Sequence, residues 1–282
     1  MRSLIFIGLL SAVMLGCNGV FFQPYRGYVQ TPENLGLAYE DMHFQASDGT
    51  PLHAWFLPAE GKALGTILFL HGNAENISTH IMSVRWLPAR RFNVFLLDYR
   101  GYGASEGVPT DAGAQDDVDS ALRTLLVRKD VDPDRVVVFG QSLGGAIAIY
   151  NVAHSPYRQH IRALVVESAF ASYRAIAREK LAAFWLTWPL QYPLSWTVSD
   201  EYSPSKAVAG VSPIPLLIIH GDHDPIVPVG HGKRLFELAQ EPKQLWIVSG
   251  GGHIQAFQHQ SYRDRFVNYL TTVLSQSPAV HK

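Results

Sequence analysis

A single cysteine, Cys17, occurs in the 282 residues. An intramolecular disulfide and a multi-cysteine metal site are therefore both excluded. Charge of one sign is also missing: 23 Lys and Arg stand against 24 Asp and Glu, a formal net charge of −1. That balance leaves no general basic footprint, so no nucleic-acid partner is expected. The sequence has no His-Glu-x-x-His, and its 12 histidines share no ligand spacing, so neither a metal nor another cofactor is expected. Internal repeats and low-complexity tracts are absent as well. What is present is an apolar fraction of 47%, enough to bury a large core and to exclude wholesale disorder.

The N-terminal apolar run, Leu4 to Leu15, is too short for a membrane span, which needs about 20 residues. With Arg2 before it, it reads as the core of a signal peptide covering residues 1–16. Its end, Met14-Leu15-Gly16-Cys17, resembles the bacterial lipoprotein processing box. That resemblance implies cleavage before Cys17, lipid on its thiol and new amino group, and export to the cell envelope. Acyl chains on Cys17 would anchor the chain to a bacterial membrane, because two chains suffice for stable attachment. Residues 17–37, rich in Gly, Pro and aromatics, then read as a tether that packs onto the domain.

From residue 38 onward the pattern is that of one α/β domain. Two alternating runs, Tyr39 to Gln45 and Leu52 to Leu57, flank the turn signal Ser47-Asp48-Gly49-Thr50 and predict an antiparallel hairpin. Continuous apolar runs follow at 66–70, 93–98, 135–139, 163–167, 216–220 and 244–248. Strands without polar alternation are buried on both faces, as in a parallel sheet covered by helices. Residues 112–128 carry Val118, Leu122, Leu125 and Leu126 at helical spacing behind Thr110-Asp111, a helix start. The stretch from about 170 to 212 breaks the rhythm, being too long for a plain crossover and too aromatic for a solvated loop. It reads as a small lid, or as a crossover helix with a packed aromatic extension. Trp185, Trp188, Tyr192 and Trp196 would either line an apolar acyl site or anchor the segment to the core.

Two stretches match Gly-x-Ser-x-Gly. The one around Ser105 is followed by Val108-Pro109 and no helix, and reads as a glycine-rich turn. The one around Ser142 follows Val136-Val-Val-Phe139 and runs into Gly145-Ala-Ile-Ala-Ile-Tyr150, the strand, tight turn and helix that a nucleophile elbow requires. A serine at that helix N-terminus sits where the dipole favours developing negative charge. The Gly101/Gly103/Gly107 stretch does not fit a dinucleotide fingerprint, because the spacing is one residue off and Pro109 stands where the phosphate-binding helix would run.

A serine elbow needs an acid and then a histidine downstream. Asp224, past a glycine turn after the strand at 216–220, is the preferred acid, with Asp222 and Glu167 as alternatives. His231 opens a helix and His259 falls inside one, so His253, on a glycine loop after the last strand, is the base. It would take the Ser142 proton and return it to the leaving group while the acid fixes its tautomer. The oxyanion would be held by backbone N–H groups of Leu143 and Asn73, the latter in the loop His71-Gly72-Asn73.

Taken together, His71-Gly-Asn-Ala, Leu97-Asp-Tyr-Arg-Gly-Tyr-Gly103, Gly140-Gln-Ser-Leu-Gly-Gly145, His220-Gly-x-x-Asp224 and Gly251-Gly-His253 resemble the α/β-hydrolase superfamily of serine hydrolases, in its alpha/beta-hydrolase-domain branch. The resemblance implies an α/β-hydrolase fold, a mostly parallel sheet with helices on both faces and the small lid, over residues 38–282. It implies Ser142, Asp224 and His253 as a triad, with Asn73 and Leu143 as oxyanion donors. The activity implied is cleavage of carboxylic esters or thioesters through an acyl-enzyme, on a small-molecule or lipid ester. Peptide hydrolysis is the enzymatic alternative, and a catalytically silent, surface-anchored binding protein is the alternative from another class.

Overall fold

The computed structural model describes residues 21–276. The expected signal peptide and Cys17 lie outside that range. Numbering the strands of the main sheet along the chain, β1 (Glu40–Gln45) and β2 (Pro51–Leu57) form the hairpin. They are followed by β3 (Gly65–Leu70), β4 (Phe92–Asp98), β5 (Val136–Gln141), β6 (Ile161–Glu167), β7 (Leu216–Gly221) and β8 (Lys243–Val248). The spatial order is β8-β7-β6-β5-β3-β4-β2-β1, and every pairing from β4 to β8 is parallel. Only β2 with β1 and β2 with β4 pair antiparallel.

Five of the six parallel strands, β3 to β7, are buried along their length because both sides are covered; β8, expected from its sequence to be buried on both faces, is an edge strand in which Trp246 and Val248 are buried while Gln244 and Ile247 are exposed. Leu68, Phe95, Val138, Leu164 and Ile218 enter one core, while Ile67, Val94, Phe139, Val165 and Ile219 enter another on the opposite face. The period-2 geometry of a strand makes that division automatic once every position is apolar. Helices α2 (Asp111–Leu126), α3 (Leu143–His154) and α7 (Gly230–Leu238) cover the first face, and α8 (Gln260–Ser275) covers the second with the short α1 (Ile77–His80). Thr110 caps α2 by accepting the Gly113 N–H at 3.0 Å. His259 stands at the N-terminal boundary of α8 rather than within it.

The segment after β6 holds α4 (Tyr173–Ala183), α5 (Gln191–Trp196) and α6 (Pro204–Ala207). Ala207, Val208 and Val211 belong to the first core, as do Tyr173 and Ile176 in the first turns of α4, so the part that stands off the core is the rest of the α4–α5 hairpin. Ser172 caps α4 through the Ala175 N–H, and Asp200 accepts from both Ser172 and the Arg174 N–H, closing the base of that hairpin. At the other end of the chain order, Gln23–Pro24 pairs parallel with Ala74–Glu75, and the Asn76 amide donates to the Tyr25 and Gly27 carbonyls. The N-terminal segment is thereby laid against the loop that follows β3. No helix among the described residues is long and apolar enough to cross a membrane.

Candidate active site

Ser142 sits between β5 and α3 with φ 54° and ψ −116°, a region that costs a non-glycine residue about 1–3 kcal/mol. Its N–H donates to the Glu167 carbonyl at 2.9 Å, tying the turn to β6, and its carbonyl starts the helix by accepting from Ala146. The turn is possible because its neighbours have no side chains. A Cβ on Gly140 would lie 2.3 Å from the Gly144 carbonyl oxygen, and one on Gly144 would lie 2.2 Å from that of Leu70. The serine is thus lifted to the C-terminal edge of the sheet, beside the end of β3.

Asp224 follows β7 and is buried. Its Oδ1 accepts from the N–H groups of Ile226 at 2.9 Å and Val227 at 2.8 Å, and its Oδ2 lies 2.8 Å from His253 Nδ1. Burial raises the carboxyl pKa, but the hydrogen bonds from His253, Val227 and Ile226 outweigh it and hold it below the ordinary value. His253 is carried by the loop after β8, which reaches Asp224 because Gly221 lets it approach: a Cβ there would meet the Gly251 carbonyl oxygen at 2.2 Å. The loop is clamped by Ser168 on the Ile254 N–H and by Glu167 on the Ala256 N–H. Ser142 and His253 face one cavity, without a hydrogen bond between them among the described residues. Hydroxyl–imidazole contacts of this kind are often long before substrate binds and tighten in the complex.

The two other candidate acids are occupied elsewhere. Glu167 accepts from the Gln141 amide at 2.7 Å and from the Ala256 N–H, and burial raises its pKa. Asp222 accepts from the Gly250 N–H and contacts His223, as a turn carboxylate does. Ser105 is buried, donating to the Asp98 carbonyl at 2.6 Å and accepting from the His53 N–H, which leaves it as a structural turn residue.

Leu143 is the first residue of α3, so its N–H has no partner within the helix, and it lines the cavity together with Gly72 and Asn73. The Asn73 loop is braced from behind: its carbonyl accepts from Tyr102 Oη at 2.7 Å and from the Gln23 N–H at 3.1 Å. His71 at the base of the loop has a pKa pushed down to about 3, first by burial and then by His80. It is neutral, and its Nδ1 donates to the Gly72 carbonyl at 2.7 Å.

The cavity measures about 870 Å³ and is mainly apolar, with Phe21, Phe170, Ile176, Leu181, Leu194 and Val198 among its walls. The four lid aromatics are not among them. Trp185, Trp188, Tyr192 and Trp196 are each more than half exposed, so they neither line this cavity nor anchor the segment in the core. The reason is the facing of α4 and α5: Ile176, Ala177, Lys180 and Leu181 share one side of α4 and turn inward, leaving the aromatic connection on the outside. The wall residues that sequence reasoning passed over therefore had a signal, their i, i+1, i+4, i+5 spacing.

A match to the model of the serine aminopeptidase S33 family covers residues 61–209. The chain belongs to this α/β-hydrolase family. It is 42% identical over 243 residues to the uncharacterized protein YfhR of Escherichia coli K12, covering 84% of this chain and 82% of that one. It is 38% identical over 223 residues to the alpha/beta hydrolase domain-containing protein WAV2 of Arabidopsis thaliana, covering 76% and 71%. Among solved structures, the Pyrococcus furiosus esterase Pf2001 superposes with a TM-score of 0.70 at 21% identity, covering 92% of this chain and 98% of that one, a likeness of fold. The sheet order and the helices on both faces are those of an α/β hydrolase.

Three further features of this hydrolase have no signature in one dimension. Tyr102 and Gln23 meet the Asn73 loop only through tertiary contact. Glu75 and Lys180 also line the cavity. Asp41, His43 and His53, which share no ligand spacing, come together on β1 and β2 with ligand atoms within 4.8 Å. Hydrogen bonds already account for that cluster, since His53 Nε2 lies 2.7 Å from Asp41 Oδ1 while its Nδ1 faces Tyr28 and Asp98.

Proposed function

We propose that this α/β hydrolase cleaves carboxylic ester or thioester bonds through an acyl-enzyme on Ser142. The observation that carries the reading is the 2.8 Å contact between Asp224 and His253, beside an elbow serine that shares a cavity with His253. In this mechanism His253 Nε2 takes the Ser142 proton as the oxygen attacks the carbonyl carbon, and Asp224 holds Nδ1–H and steadies the imidazolium. The N–H groups of Leu143 and Asn73 receive the oxyanion, and His253 then protonates the leaving alcohol or thiol. Water, activated by the same imidazole, releases the acid. The apolar walls suit an acyl chain better than a charged substrate.

Labelling by a fluorophosphonate probe tests the assignment. Wild type and Ser105→Ala are expected to label, and Ser142→Ala and His253→Ala to lose labelling while remaining folded. Labelling of Ser142→Ala at the wild-type rate would overturn the mechanism.

Peptide hydrolysis is the second reading, favoured by the family's description and by Glu75 at the cavity, a carboxylate able to meet an amino terminus. Aminoacyl p-nitroanilides cleaved faster than acyl p-nitrophenyl esters would select it.

We further propose that residues 1–16 direct export and that Cys17 carries lipid, placing the enzyme at a bacterial cell envelope. Support comes from the short apolar run ending in Gly16-Cys17. A Cys17→Ala precursor that fractionates with membrane and takes up labelled lipid as wild type does would refute this.

A further inference from the structure

We infer that the exposed aromatic stretch 184–196, on the hairpin whose other side lines the cavity, is a membrane-docking surface that seats this end of the molecule on an anionic phospholipid bilayer. Phe184, Trp185, Leu186, Trp188, Leu190, Tyr192 and Trp196 are all at least half exposed, with Trp185 at 78%. Apart from Tyr25, Tyr28 and Val29 near the N-terminal end, the other exposed large apolar side chains outside the run stand singly, so this run is the largest concentration of exposed apolar side chains among the described residues. The patch is left in water because the inner faces of α4 and α5 line the cavity, while the connection between them is exposed and outside that lining.

Three observations select a bilayer as the occupant. The first is side-chain type: tryptophan, tyrosine and phenylalanine with leucine suit the boundary between headgroups and acyl chains, where an amphipathic ring satisfies both sides. The second is charge. The basic side chain at the patch is Arg178, since Lys180 faces the cavity and Arg174 lies beside Asp200. Arg178 lies over the Tyr192 ring at 5.6 Å, so positive charge adjoins the aromatic patch, the pairing expected of a surface that meets anionic lipid.

The third is where the described chain begins. Phe21 packs on Tyr173 with ring centroids 5.0 Å apart and on Phe170 at 6.1 Å, at the base of α4 and in the cavity wall. Four residue steps separate it from Cys17, a reach of at most about 14 Å. Any attachment at Cys17, or through the apolar run before it, therefore holds this end of the molecule, and no other, at the membrane.

The test uses the protein from residue 18 onward, which retains every residue of both hydrophobic cores and omits the anchor, so that the aromatic surface acts alone. Binding is read by co-sedimentation with vesicles of phosphatidylglycerol and phosphatidylethanolamine and by the blue shift of tryptophan emission. Wild type is expected to bind these vesicles, and phosphatidylcholine vesicles more weakly. The triple variant Trp185→Ser, Trp188→Ser, Trp196→Ser is expected to lose binding by about tenfold or more with its melting temperature unchanged, because these side chains are already in water. Absence of wild-type binding, or equal binding by the triple variant, would overturn the inference. So would a wild-type dimer without vesicle affinity that the triple variant dissolves, since the surface would then serve a second copy. Because the readout is binding and not turnover, the result is independent of whether the esterase reading holds.

Discussion

Replacing Gly144 with alanine adds one methyl group at the tightest point of the elbow. Its Cβ would lie 2.2 Å from the Leu70 carbonyl oxygen and 2.4 Å from that of His71, both backbone atoms that no side-chain rotation can clear. A comfortable carbon–oxygen approach is about 3.3 Å, so α3 and the end of β3 must separate by about 1 Å. The Gly144 backbone has no left-handed φ, so the cost is steric. Overpacking of this kind costs about 1–3 kcal/mol, a fall of roughly 2–12 °C in melting temperature for a domain of this size. The separation also moves the Leu143 N–H away from the Asn73 loop, and a misplacement of ~1 Å costs on the order of 10²-fold in rate. Gly230→Ala is the control, because nothing lies within 4 Å of its added Cβ. Turnover of a soluble p-nitrophenyl ester and thermal unfolding measure the two effects. A Gly144→Ala enzyme with wild-type turnover and wild-type stability would refute the close-approach argument.

Three other outcomes are expected. Asp224→Asn should lower kcat by about 10³–10⁴-fold with little change in KM, because the amide favours the wrong imidazole tautomer, and a loss under tenfold would point to another acid. Arg100→Ala should destabilise by about 3–5 kcal/mol in urea unfolding, since it leaves the fully buried Asp117 without the guanidinium that contacts it at 2.8 Å; a change under ~1 kcal/mol would contradict this. Finally, His71 has a folded pKa of about 3 against an ordinary value of 6.5, so the unfolded chain takes up a proton that the folded one refuses. Its contribution to stability is intact above pH 6.5 and declines as pH falls towards 3, reaching a loss of about 2 kcal/mol at pH 5. Unfolding at pH 7 and 5 should show a smaller difference in His71→Gln than in wild type, and equal differences would rule His71 out as a source.

Much of this molecule can be read in one dimension. The five inner parallel strands declare themselves because a strand covered on both faces is mostly apolar along its length, and the glycines around Ser142 because only they allow backbones to pass at that distance; the edge strand β8 carries a similar run but leaves Gln244 and Ile247 exposed. Chain order and turn context narrowed the acid to three carboxylates and favoured Asp224, but left Asp222 and Glu167 open. The choice depends on where loops from β7 and β8 meet, and there Asp224 faces His253 while Glu167 turns to Gln141. The lid shows the same boundary from the other side. Its aromatic content was evident, but which side of the hairpin faces the cavity is set by how α4 is rotated over it. That rotation turned Ile176 and Leu181 inward and left Trp185 in water. Local pattern decides what each segment becomes, through backbone geometry and burial; which side chains meet across segments is decided by packing, and only the folded chain contains it.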